Sequence, residues 1–186
     1  MAALRGDRRF LRTRVPVLLL AVLLSGCVAH TSMTATDSAG PSDADAKACA
    51  SIKSALVARD SRVLSVLTIF CRDQLVVIAG ALPPDYKLAV EAVHIATKTP
   101  GVRRVETVFV PKAAQEASDA AVAAKIKAAL AGDATTQAPG TDLTVVAGTV
   151  VLVGLVNDQA KADRIIAGAA SVEGVKSVRS FIQLRP

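Results

Sequence analysis

Three cysteines and two histidines are the residues of this chain whose types could carry chemistry. Cys27 closes an N-terminal segment with three parts. Five arginines (Arg5, Arg8, Arg9, Arg12, Arg14) come first against one acid, Asp7; an apolar run over residues 15–24 follows, broken only by Pro16; small residues lead to the cysteine. A basic start, a short apolar core and a small-residue cut site describe an export signal. The remaining pair, Cys49 and Cys71, is an even number in an exported chain and suggests a disulfide. Cys49 shares a helical stripe with Ile52 and Leu56, and Cys71 shares strand parity with Leu67 and Ile69, so both could face one small core. Bonded, they would close a loop of about 23 residues and stabilise the fold by ~3 kcal/mol. Two buried free thiols are the alternative. His30 and His94 sit in no spacing that suggests a metal or a nucleophile partner, the carboxylates are scattered, and no Gly-x-x-x-x-Gly-Lys occurs. The expectation is a protein that is not an enzyme, with no cofactor, no metal and no small-molecule substrate.

The apolar run is too short for a helix crossing a bilayer of about 30 Å, which needs roughly 20 residues. Leu24-Ser25-Gly26-Cys27 resembles the lipobox of bacterial lipoproteins. The resemblance implies cleavage before Cys27, which then carries the lipid as residue one of the mature protein. Val28 stands where aspartate would retain an enterobacterial lipoprotein at the inner membrane, which implies transfer to the outer membrane, facing the periplasm. An ordinary secretory signal or a short transmembrane stub is the alternative. Arg8-Arg9-Phe10-Leu11 is one residue short of a twin-arginine pattern, which favours the general secretory route.

Residues 1–26 are thus expected to be a signal and 27–44 a flexible tether, small and polar with no apolar period, reaching roughly 20–25 Å as a random coil. His30 lies in the tether. The net charge of +6 is misleading: without the signal, 17 of the 22 basic and 15 of the 16 acidic residues remain, a balance of +2. That excludes nucleic acid as a partner on charge. After the signal the only aromatics are Phe70, Phe109, Phe181 and Tyr86, so the cores must be built from Val, Ile, Leu and Ala.

The rest of the chain repeats itself. Ile52 and Leu56 recur as Ile126 and Leu130, and Val76-x-Ile78-x-Gly80 recurs as Val150-x-Leu152-x-Gly154, each offset by 74. Gly101-Val102-x-x-Val105 recurs as Gly174-Val175-x-x-Val178, offset by 73. Such ordered self-similarity marks a duplicated unit. In the second copy Val122, Ile126 and Leu130 form a helical stripe opened by Ser118-Asp119. Strands follow over 143–147 and 150–155, turning at Gly148-Thr149. A helix capped by Asn157-Asp158 then carries Ile165, Ile166, Ala169 and Ala170, and a last strand covers 175–184. On that strand the face of Lys176, Val178, Ser180, Ile182 and Leu184 looks the more buried. In the first copy Ala48, Ile52, Ala55 and Leu56 mark a helix, strands run over 63–71 and 75–82, Pro83-Pro84-Asp85 opens a helix, and 102–110 is a strand stopped by Pro111.

The expected class is α+β: two tandem αββαβ units, each a three-stranded mixed sheet with two helices packed on one face. This pattern resembles the BON domain. Gly148-x-Val150-x-Leu152-x-Gly154-x-Val156 and Gly174-Val175-x-x-Val178 carry the resemblance in the second copy; in the first, Gln74 stands where the pattern has glycine, so its hairpin turn is expected to differ. The boundaries read 45–111 and 118–186, joined by a short linker over 112–117. Two such copies behind a lipobox resemble dual BON-domain outer-membrane lipoproteins, which implies a non-catalytic role in envelope integrity through anionic phospholipid. Lys125, Lys127, Lys161 and Arg164, with Lys176 and Arg179 beside them, are then the expected headgroup contacts, each lysine contributing about 1 kcal/mol near an anionic surface. The alternative is a protein-interaction module for outer-membrane protein assembly. Headgroup binding should weaken steeply with salt, and an apolar protein interface should not.

Overall fold

A capping box sets the start of the first helix. Ser42 Oγ accepts from the Asp45 N–H at 3.1 Å, while the Asp45 carboxylate accepts from the Ser42 hydroxyl at 2.7 Å and from its N–H at 3.3 Å. The computed structural model describes residues 40–61, 67–83, 87–112, 118–137 and 140–185, all within one unit, Ala35–Pro186. The signal segment, Cys27 and His30 lie outside the described residues, as do 84–86 and 113–117. Helix α1 spans Asp43–Arg59, so Asp43 and Ala44, read from sequence as tether, form its first turn.

The order continues β1 (Leu67–Arg72), β2 (Leu75–Leu82), α2 (Lys87–Lys98), β3 (Arg104–Pro111), α3 (Asp119–Gly132), β4 (Thr141–Val146), β5 (Thr149–Val156), α4 (Gln159–Ala170) and β6 (Ser177–Leu184). In each half the first two strands form an antiparallel hairpin and the helical crossover brings the third strand in parallel, giving orders β1-β2-β3 and β4-β5-β6. The duplication extends to register: Leu67 faces Gly80 as Thr141 faces Gly154. The class is α+β with two three-stranded mixed sheets and four helices.

One face of each sheet meets its helices. Ile52, Leu56, Ala92 and Ala96 pack on Ile69, Val76 and Ile78; Val122, Ile126, Ile165 and Ala169 pack on Val150, Leu152 and Val156. The opposite faces close on each other. Leu75, Val77, Ala79 and Ala81 of β2 form a third core with Val151 and Val153 of β5, flanked by Phe70, Val108, Val110 and Phe181. This unit is therefore a four-layer stack, helices–sheet–sheet–helices. Residues of both parities on β2 are buried, as an uninterrupted apolar run suits. On β6 the face of Lys176, Val178, Ser180, Ile182 and Leu184 was expected to be the more buried. Val178 and Ile182 do pack toward the helices, but Phe181 from the other face joins the inter-sheet core and Leu184 is 47% exposed.

The β1–β2 turn does not differ from its counterpart. Asp73 and Gln74 have φ of 44° and 63°, and Ala147 and Gly148 have φ of 51° and 75°. Both are two-residue hairpin loops with positive φ at each position, as the favoured hairpin geometry requires. Glycine adopts it without cost; Gln74 is held there by the contacts described next.

Candidate functional site

Two buried aspartates, 74 positions apart, each hold the tip of a hairpin. Asp45 and Asp119 sit in the first turns of α1 and α3, 6% and 7% exposed. The Asp45 carboxylate accepts from the N–H groups of Asp73 and Gln74, each at 3.1 Å, and that of Asp119 accepts from Ala147 at 2.7 Å and Gly148 at 2.9 Å. Each helix start thus grips the tip of its own hairpin, satisfying two amides that the turn leaves without ladder partners. Burial pushes the Asp45 carboxyl up, but hydrogen bonds from Ser42, Gln74 and Asp73 outweigh it and hold the group below its ordinary range. Sequence reasoning took Ser118-Asp119 only as a helix start and missed Asp45. The recurrence of aspartate at the repeat offset, 28 residues before each turn, was the available signal. These groups are structural: every carboxylate oxygen is engaged in holding backbone.

Cys49 and Cys71 are joined by a disulfide, with Cα atoms 5.8 Å apart, tying α1 to β1. On the next residue, the Arg72 guanidinium is nearly buried. It pairs with Asp142 of the second half and donates from Nη1 to the Cys71 carbonyl at 3.1 Å, while its Nε has no partner. Gln183 Nε2 donates to the Arg72 carbonyl at 3.2 Å, and Arg104 Nη2 donates to Gln183 Oε1 at 3.4 Å. This polar seam borders the inter-sheet core at one end.

Four of the expected phosphate contacts, Lys125, Lys127, Lys161 and Arg164, lie on the helix layer of the second half, and they differ in their partners. Lys125 is paired with Glu173 at 3.2 Å. Arg164 lies near Asp133, whose carboxyl is held low first by hydrogen bonds from Thr135 and also by that positive charge. Lys127 is exposed and Lys161 half-buried; neither makes an ion pair among the described residues. Lys127 and Lys125 are two positions apart on α3, so they point to different sides of the helix. The Lys176 stem lies over Gly148, where a Cβ would meet it at 2.9 Å, and Arg179 is exposed on β6. His94 is exposed on α2. No group of three or more His, Cys, Asp or Glu among the described residues could hold a metal ion.

A cavity of about 270 Å³ opens beside Lys127. Its walls are Leu130 and Ala131 of α3, Leu143 and Thr141 of β4, and Ile165 of α4. Gly154 makes room on this side of the sheet: a Cβ there would lie 2.7 Å from Thr141 Oγ1 and 2.8 Å from the Gly140 carbonyl.

The sequence profile of the BON domain matches residues 118–186. Osmotically-inducible protein Y of Escherichia coli (strain K12) is 31% identical over 201 aligned residues, covering 94% of this chain and 98% of that protein. Two solved structures of CdsD, a structural protein of the type III secretion system of Chlamydia trachomatis, align at 15% identity and a TM-score of 0.33, covering 69% and 74% of this chain. This chain spans 65% and 63% of those two, less than two thirds of their length. The matched residues are those that build α3 through β6, and near-complete alignment to the Escherichia coli protein extends the relationship across both halves: the chain belongs to the BON-domain family.

Proposed function

We propose that this chain is a non-catalytic protein of the cell envelope, lipid-anchored at the periplasmic face of the outer membrane through Cys27, that supports envelope integrity by binding anionic phospholipid with its second half. The observation that carries the reading is the pair of cations on the α3–α4 layer, Lys127 and Lys161, that pair with no carboxylate among the described residues. An unpaired lysine at a surface gains most from a phosphate, because no existing ion pair must be broken. Lys125 and Arg164, already beside Glu173 and Asp133, contribute less. The lipobox-like Leu24-Ser25-Gly26-Cys27 supports the anchor, and a tether raises the local concentration of a weak binder at the membrane. The likeness to an osmotically inducible protein supports a role when the envelope is under osmotic stress.

The test is sedimentation of residues 28–186 with vesicles containing or lacking phosphatidylglycerol or cardiolipin, at low and high salt. Binding should be confined to anionic vesicles and fall with salt. Lys127→Gln with Lys161→Gln should weaken it by about 25-fold, at roughly 1 kcal/mol per lost lysine. Absence of binding at low salt sinks this reading and favours the second, a protein-interaction module. That second reading has its own observation: β1, β3, β4 and β6 are edge strands that a partner's strand could extend.

A further inference from the structure

We propose that the cavity beneath the C-terminal half of α3 binds a single-chain anionic amphiphile, an alkyl carboxylate of the fatty-acid class, with its chain among Leu130, Leu143 and Ile165 and its head at Lys127. The inference shares Lys127 with the lipid-surface reading but needs no bilayer.

The molecule contains its own comparison, because three residues at the equivalent positions of the first half are buried. Leu56, Leu67 and Ile69 occupy the positions of Leu130, Thr141 and Leu143 at the repeat offset, and they are 1%, 7% and 5% exposed within continuous core. In the second half Leu130 and Leu143 are only partly buried, and Thr141 replaces the core leucine at the same register position opposite glycine. A leucine thus stands in the first copy where the second has the smaller Thr141.

The wall chemistry selects the ligand. Thr136 Oγ1 lies within hydrogen-bond distance of the Leu130 and Asp133 carbonyls, and Gln137 Nε2 donates to the Ala131 carbonyl, so these polar groups are engaged. Among the described residues the Thr141 hydroxyl is buried with no partner and Lys127 has no ion pair. Both groups can donate hydrogen bonds, and among the described residues no acidic side chain lines the cavity. An empty buried hydroxyl is costly, and an aliphatic wall favours alkyl over polar contents. The volume is nearly twice that of an apolar protein cavity of about 150 Å³ known to bind benzene, enough for a chain of several methylenes.

Methyl NMR of residues 28–186, which contain the whole folded unit, tests this directly by titration with hexanoate, octanoate and decanoate below micelle formation. We expect saturable one-to-one shifts at the Leu130, Leu143 and Ile165 methyls and none at Ile52 or Leu56. Each added methylene should tighten binding about fourfold until the cavity is full. Thr141→Leu, which installs the residue of the first half, should abolish binding. Lys127→Gln should weaken decanoate but leave decanol unchanged. Non-saturable shifts spread over both halves, or decanoate binding retained in a folded Thr141→Leu, overturn the proposal. If that variant does not fold, the parent shift map decides by itself. Vesicle binding should survive Thr141→Leu, so loss of either activity without the other identifies which of the two readings has failed.

Discussion

Asp45 and Asp119 show how much one side chain can fix. Each takes two backbone N–H donors from a hairpin tip, and Asp45 also completes the cap of its own helix. Removing such a carboxylate leaves amides without partners, which costs more than the net value of the bonds themselves. Gln74 depends on this grip. A non-glycine residue at φ 63° costs about 1 kcal/mol, and the Asp45 bond to its amide offsets that. Asp45→Asn should therefore destabilise the protein by about 2 kcal/mol near neutral pH, measured by urea unfolding. Its pH dependence has a definite sign. The folded carboxyl is held below its unfolded value, so its contribution is present above the unfolded pKa of about 3.9 and is lost as pH falls through the folded value. The stability gap between parent and Asp45→Asn should be constant from neutral pH down to about 5 and narrow below about 4; a gap unchanged at low pH would refute the role of the charge.

At the scale of elements, the first half relies on a covalent tie that the second lacks. The disulfide links α1 to β1 across a separation of 22 residues. The positions of Cys49 and Cys71 are taken in the second half by Ala123 and Val145, both packed into its helix-side core. Closing such a loop stabilises by about 3 kcal/mol through the unfolded chain. Cys49→Ala with Cys71→Ala should lower the unfolding free energy by about that amount, and reductant should do the same to the parent while leaving the double variant unmoved. Equal urea midpoints with and without reductant would show that the tie contributes nothing.

At the scale of the whole molecule, the inter-sheet core makes the two halves one body. Val77, Ala79, Val151 and Val153 are fully buried only because each sheet covers the other. A single half would present that face to water, and an exposed contiguous apolar sheet face drives association. Residues 118–186 expressed alone should self-associate at micromolar concentration or remain expanded, whereas residues 28–186 should sediment as a single species. A monodisperse, fully folded monomer of 118–186 would show that the second half tolerates its bare face.

The duplication, the element order and the αββαβ topology were legible in the sequence, because periodicity and repeat offset record which residues share a face, and the helix stripes through Ile52 and Ile126 point where they were expected to. Cys49 and Cys71 were placed on facing stripes by the same arithmetic. Local spacing could not say what covers the other face of each sheet. The runs in β2 and β5 alternate between two apolar faces, and only tertiary packing decided that the second face meets the sister sheet. The hairpin around Gln74 was misjudged for a similar reason: its backbone is held by a carboxylate 29 positions earlier, a contact that no local rule contains. The cations show the same limit, since α3 and α4 put Lys125, Lys127, Lys161 and Arg164 on one layer while folding brought Glu173 and Asp133 beside two of them. The cavity beside Lys127, lined by Thr141 where the first half has a core leucine, also exists only in three dimensions. Sequence determines which residues turn inward together; the cancellation of a charge, the filling of a void and the closing of two sheets depend on distances between segments far apart in the chain, and those only the fold sets.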